Sequence, residues 1–178
     1  GNGAEGGEAR YRGVTMLGDV HAARGALDEA LAAYQDAQRE VLALLAQDDG
    51  NAALQRDLSV TCDRIGDVRL AKGDMDGALE SFRSGLEIAE VLAERDPEHA
   101  GWQHDLSVSL DRVGELLERM GDMEGAFACF RKGLAIAEGL AGRKEGLPDW
   151  QWGLSESLER LADVLMARGK AEEALEQY

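Results

Sequence analysis

Apolar residues along this chain fall three and four positions apart, and no useful stretch alternates with period two, so the pattern predicts helices throughout and no strand. Residues 55–72, QRDLSVTCDRIGDVRLAK, illustrate it: Leu58, Cys62, Ile65 and either Val68 or Arg69 share one helical face. Gly73 breaks the periodicity, and Asp74 follows as an N-cap, its carboxylate placed to accept a backbone N–H of the next first turn. A second helix is expected over 75–95, MDGALESFRSGLEIAEVLAER, with Ala78, Phe82, Leu86 or Gly85, Ala89 and Leu92 turned inward. It should stop before Asp96-Pro97, because proline disfavours helical geometry in the residue before it.

This hairpin recurs. Gly18, Gly66 and Gly114 lie 48 residues apart, with Ala162 at the next step. The same period carries an alanine column (Ala30, Ala78, Ala126, Ala174), an aromatic column (Tyr34, Phe82, Phe130, Tyr178) and a column of turn glycines (Gly25, Gly73, Gly121, Gly169). Residues 52–99 and 100–147 are identical at 24 of 48 positions, so repetition sets the architecture. One hairpin cannot bury such a face alone, whereas stacked neighbours can. The small columns let paired helices approach: Gly66 is expected to face Ala78 and leave a socket for Phe82. Trp102 and Trp150 share a column with Leu54, and Trp152 lies two residues on; all are read as packing where units meet.

These columns resemble the tetratricopeptide repeat. That pattern has a small residue at its eighth position, Ala at the twentieth and an aromatic at the twenty-fourth. Gly66, Ala78 and Phe82 match it, as do Gly114, Ala126 and Phe130, with Leu17, Ile65, Val113 and Leu161 at the apolar seventh position. The likeness spans residues 9–178. Two features depart from it. The usual unit is about 34 residues, whereas this one is 48, the helix-ending proline being replaced by Glu90 so that the helix continues to about Arg95. The aromatic expected at the eleventh position is absent, with His21, Arg69, Leu117 and Leu165 standing there. This long-unit variety is similar to arrays in large bacterial multidomain proteins. The resemblance implies an all-α fold, a right-handed superhelical solenoid of stacked antiparallel helix pairs. Its first helices would line a concave surface that binds peptides or protein segments, without catalysis.

On this reading residues 1–8 are a flexible linker or cloning remnant, and 9–178 form one array with units of about 9–49, 52–97, 100–145 and 149–178. The last unit is incomplete, since Tyr178 falls inside its second helix, so the chain is expected to be a fragment of a larger protein.

One pentapeptide recurs within the array: DRIGD at 63–67, DRVGE at 111–115 and ERLAD at 159–163. Carrying over the family's contact positions gives a candidate partner-binding set of Asp19, Asp63, Arg64, Asp67, Asp111, Arg112, Glu115, Glu118, Glu159, Arg160 and Asp163. Asp63 and Asp67 are one turn apart, and such like-charge pairs disfavour a helix by a few tenths of a kcal/mol, a cost whose repetition hints at use. The competing reading is local: Arg64 can reach Asp67, Arg112 Glu115 and Arg160 Asp163, solvating and slightly stabilising each helix. Chaperone-binding relatives clamp a carboxylate with Lys and Asn at the fifth and ninth positions, where this chain has mostly acids. A basic or mixed-charge segment fits the acids better, although the Arg column leaves room for an acidic one.

Charge narrows the field. With 19 basic and 35 acidic residues the net charge is −16, which argues against nucleic acid and against anionic membrane surfaces. The longest apolar run, VLALLA at 41–46, is too short to span a bilayer, and no secretory signal opens the chain. Cys62 and Cys129 read as reduced residues rather than a disulfide, pointing to a cytoplasmic setting. GNGAEG matches a dinucleotide fingerprint in letters only, because no strand precedes it. His21, His99 and His104 lack metal-ligand spacing, and His99 and His104 flank a turn read as solvated. Ser59 and Ser107 share a column with no base placed to activate them. No catalytic residue, cofactor or metal is therefore expected. The leading function is a non-catalytic interaction scaffold for a peptide or protein segment. The alternatives are a self-assembly array or a regulatory segment of a multidomain enzyme or signalling protein.

Overall fold

The computed structural model describes residues 2–142, 148–167 and 169, and these hold seven α-helices and no strand. In chain order they are α1 (Asn2–Ala23), α2 (Leu27–Leu45), α3 (Ala52–Ala71), α4 (Met75–Arg95), α5 (Ala100–Arg119), α6 (Met123–Ala141) and α7 (Pro148–Ala167). The second expected helix, 75–95, is α4 end to end. At the amino end helix α1 reaches back to Asn2, so residues 2–8, assigned by composition to a flexible lead, are its first turns. Their packing explains this. Arg12 pairs with Glu8 one turn back at 3.4 Å, and a Cβ on Gly7 would lie 2.8 Å from Leu44 Cδ2.

The helices fall into two compact units, residues 1–92 and 93–178. In the first, α1 packs on α2 and α2 on α3. One cluster joins Tyr11, Val41, Leu44 and Leu54; another joins Ala30, Tyr34, Ile65 and Val68, so the first helix of the second hairpin is buried against the hairpin before it. Val68 rather than Arg69 takes the inward place, and Arg69 instead donates to Gly77 O at 2.8 Å and to Ser81 Oγ at 3.0 Å. Gly85 rather than Leu86 is the buried residue on α4. In the second unit α5 packs on α6 and α6 on α7, with Leu110, Val113, Leu116 and Phe130 at the centre and Leu161 and Val164 buried on α7.

The small column forms the expected socket for the ring. A Cβ on Gly66 would stand 2.4 Å from Phe82 Cε1, on Gly18 2.5 Å from Tyr34 Cε1, and on Gly114 2.6 Å from Phe130 Cε1. The glycine therefore receives the aromatic ring itself, rather than only bringing the backbone near Ala78. Burying a phenylalanine in this way stabilises the hairpin by about 1.5–3 kcal/mol.

Turn chemistry repeats as faithfully. Gly25, Gly73, Gly121 and Gly169 have φ of 73°, 83°, 87° and 74°, left-handed values that favour glycine where each first helix ends. Gly77 N donates to Asp74 Oδ1 and Gly125 N to Asp122 Oδ1, both at 2.9 Å, so Asp74 caps α4 as expected. First helices are capped as well: Leu54 N donates to Asn51 Oδ1 at 3.2 Å, and Trp102 N to His99 Nδ1 at 3.1 Å. The expectations for Ala174, Tyr178 and the side chains of Trp150 and Trp152 lie outside the described residues. Among the described residues no helix is long and apolar enough to cross a membrane.

Candidate functional site

The recurrent pentapeptide lies on first helices, and in each unit one of its arginines reaches to the first helix before it. In the first unit Arg64 Nε on α3 lies 3.2 Å from Asp19 Oδ1 on α1. Tyr34 Oη donates to the same Asp19 oxygen at 2.8 Å, and the guanidinium sits 5.9 Å from the Tyr34 ring centroid. Burial and the neighbouring Asp19 carboxylate push the Tyr34 hydroxyl up to about 12. In the second unit Arg160 on α7 straddles two acids of α5, Nη1 to Asp111 Oδ2 at 2.6 Å and Nη2 to Glu115 Oε1 at 2.7 Å. Bridging of this kind was not foreseen, since spacing along one helix pointed to partners three residues on.

Each position has a characteristic depth. Asp63 and Asp111 are half-buried, and each presents its Oδ1 to a glycine of the second helix: a Cβ on Gly85 would be 3.0 Å away in one case, on Gly133 3.4 Å in the other. Asp19, Arg64, Arg112, Glu118 and Arg160 are also half-buried. Asp67, Glu115, Glu159 and Asp163 are exposed. The structure thus brings Asp19, Asp63, Arg64 and Asp67 onto α1 and α3 of one unit, and the remaining candidates onto α5 and α7 of the other.

Other polar groups are absorbed by packing. Ser59 Oγ donates to Gly85 O at 2.9 Å in a buried setting, and Thr61 Oγ1 donates to Asp57 O at 2.7 Å. Cys62 is buried and Cys129 half-buried, and neither is in a disulfide. Burial pushes the Cys62 thiol up, away from the thiolate that a nucleophile would need. Among the described residues no group of three or more His, Cys, Asp and Glu could hold a metal ion. His99, read as part of a solvated turn, is an N-cap whose imidazole stacks on Trp102 with centroids 4.1 Å apart. The available signal was its place one period after Asn51, the residue that caps α3.

Residues 109–139, which run from α5 into α6, match the family model of the tetratricopeptide repeat. No curated protein matches the chain. Among solved structures, BtubC (BKLC) from P. vanneervenii has a TM-score of 0.68 at 17% identity, over 92% of this chain and 58% of that one. A kinesin light chain from Podosopora anserina with nearly identical TPR-like repeats has a TM-score of 0.65 at 18% identity, over 94% of this chain and 71% of its own. At these identities the likeness is one of fold. Residues 109–139 thus match a tetratricopeptide repeat, and the fold of the chain is that of an all-α helical-repeat solenoid.

Proposed function

We propose that this chain is a non-catalytic protein-interaction module of a cytoplasmic bacterial protein, and that the charged face of its first helices receives a partner segment that is basic or mixed in charge. Tetratricopeptide repeats generally mediate protein–protein interaction. The observation that carries the finer reading is the cross-helix ion pairing. Arg64 to Asp19 in the first unit, and Arg160 to Asp111 and Glu115 in the second, hold the paired first helices of each unit side by side. Asp67 is exposed in the first unit and Glu159 and Asp163 in the second, and across the candidate set acids outnumber arginines. Such a surface attracts cationic segments and speeds their encounter.

The test is a capture experiment with the purified chain as bait in a lysate of its source organism, beside Asp67→Lys/Glu159→Lys/Asp163→Lys. None of the three takes part in the Arg64–Asp19 or Arg160–Asp111/Glu115 pairs, and circular dichroism checks the fold. The reading expects a protein held by the wild type and lost from the reversal and at high salt. The same proteins on both baits, or none, would contradict it.

A second reading, self-association, has one specific observation behind it. Leu17 and Val20 on α1 are 51% and 46% exposed, whereas Ile65 and Val68, one period on, are 4% exposed. Mass that rises with concentration in sedimentation, and ceases to do so in Leu17→Lys, would favour it; constant mass removes it.

A further inference from the structure

The longer repeat unit builds a feature that the charged face does not use. In the first unit a cleft of about 360 Å³ opens between the ends of α2 and α4 and the start of α3. Leu45, Leu58, Ile88 and Val91 give it apolar walls, and Val91 is 58% exposed. Val91 lies on the part of α4 past Glu90, where the shorter unit would already have ended its second helix. The only charged residues lining the cleft are Asp49 and Glu87, both acids and both exposed. Gln55, on α3, donates to Asp49 O at 2.7 Å and so fixes the α2–α3 connection beside the opening.

The second unit holds a counterpart one period on, a cleft of about 290 Å³ in which Gln103, Ile136 and Gly139 take the places of Gln55, Ile88 and Val91. There Pro97 and Ala135 replace Asp49 and Glu87, so the apolar character recurs while the acids do not. Recurrence at the same register marks the cleft as a product of the long unit, and the acids as particular to the first.

We infer that the cleft between α2 and α4 is a second docking site, which takes an apolar side chain from a protein segment flanked by lysine or arginine. Its size falls at the small end of ligand pockets, enough for one or two aliphatic side chains. Its acids complement cations beside that anchor, which adds selectivity and encounter rate. The inference rests on reading the chain as an interaction module but names another surface, so reversing the first-helix acids and altering Val91 report on separate claims.

A short fluorescent peptide of alternating Leu and Lys is the probe, titrated by anisotropy against the whole chain carrying Asp67→Lys/Glu159→Lys/Asp163→Lys, which removes exposed acids of the first-helix face, with all-Lys and Leu–Glu peptides beside it. Saturable binding of the Leu–Lys peptide alone is expected. Val91→Asp should weaken it by about ten-fold, the loss typical of removing an anchoring contact. That substitution adds an acid, so attraction by charge alone would leave binding equal or tighter, and that result overturns the inference. A second variant, Asp49→Lys/Glu87→Lys, keeps the apolar walls and should transfer preference to the Leu–Glu peptide. No saturable binding, or equal binding of the all-Lys peptide, also overturns it.

Discussion

The first hairpins of the two units solve one packing problem with different side chains. In the first, Asp19 gathers a tyrosine hydroxyl and one guanidinium, and Tyr34 fills the space over Gly18. In the second, Phe130 fills the same space over Gly114 and has no hydroxyl to give, while Arg160 spans both Asp111 and Glu115. What is common to both is the arginine: it sits at one register on a first helix and reaches acids of the preceding first helix. Within each unit the pentapeptide's arginine therefore couples one repeat to the repeat before it. Partner binding would draw on the acids that this coupling leaves exposed.

The ring column should give the largest effect. Phe130 is 1% exposed, and Phe130→Ala should cost about 3–5 kcal/mol in urea melts. Gly66→Val comes next: Phe82 Cε1 would stand 2.4 Å from the new Cβ, and such overpacking costs about 1–3 kcal/mol. A neutral result there would show that the ring can move aside. Arg160→Met should follow at about 1–2 kcal/mol, because its side chain is 25% exposed and makes two charge-assisted bonds. Arg64→Met, at 36% exposure and with a single short contact, should cost less than about 1 kcal/mol. Equal losses at the two arginines would erase the contrast between the units.

A different kind of effect separates the units by pH. Tyr34→Phe removes the bond to Asp19 and should cost about 1 kcal/mol at neutral pH. The folded Tyr34 hydroxyl is raised from 10.0 to about 12, so the fold holds that proton more tightly than the unfolded chain. This contribution is complete below pH 10 and is lost as pH rises through about 12. Stability of the wild type should therefore fall over that window more steeply than that of Tyr34→Phe in thermal melts. Parallel curves would show that Tyr34 carries no such linkage.

Much of the fold was legible because it is periodic. The 48-residue columns set helix order, the turn glycines and the Asp74 cap, each of which follows from local chemistry. The start of α1 was not legible, since three-dimensional contact with Leu44 outweighs the flexibility that a glycine-rich composition implies. The partners of Arg64 and Arg160 were hidden for a related reason. Asp67 and Asp163 lie three residues along the same helices, whereas Asp19 and Asp111 become neighbours only when hairpins stack. The clefts needed more still, because their walls come from three helices whose rotation the apolar pattern leaves open.

Coupling between successive repeats through the recurrent arginine is tested most directly by a double-mutant cycle of Arg160→Met and Asp111→Asn, read by urea denaturation. An interaction energy of about 1 kcal/mol or more between the two positions is expected for groups sharing one ion-paired network. Losses that add to within about 0.3 kcal/mol would mean that the two residues act independently, and the pentapeptide would then need an explanation other than holding repeats together.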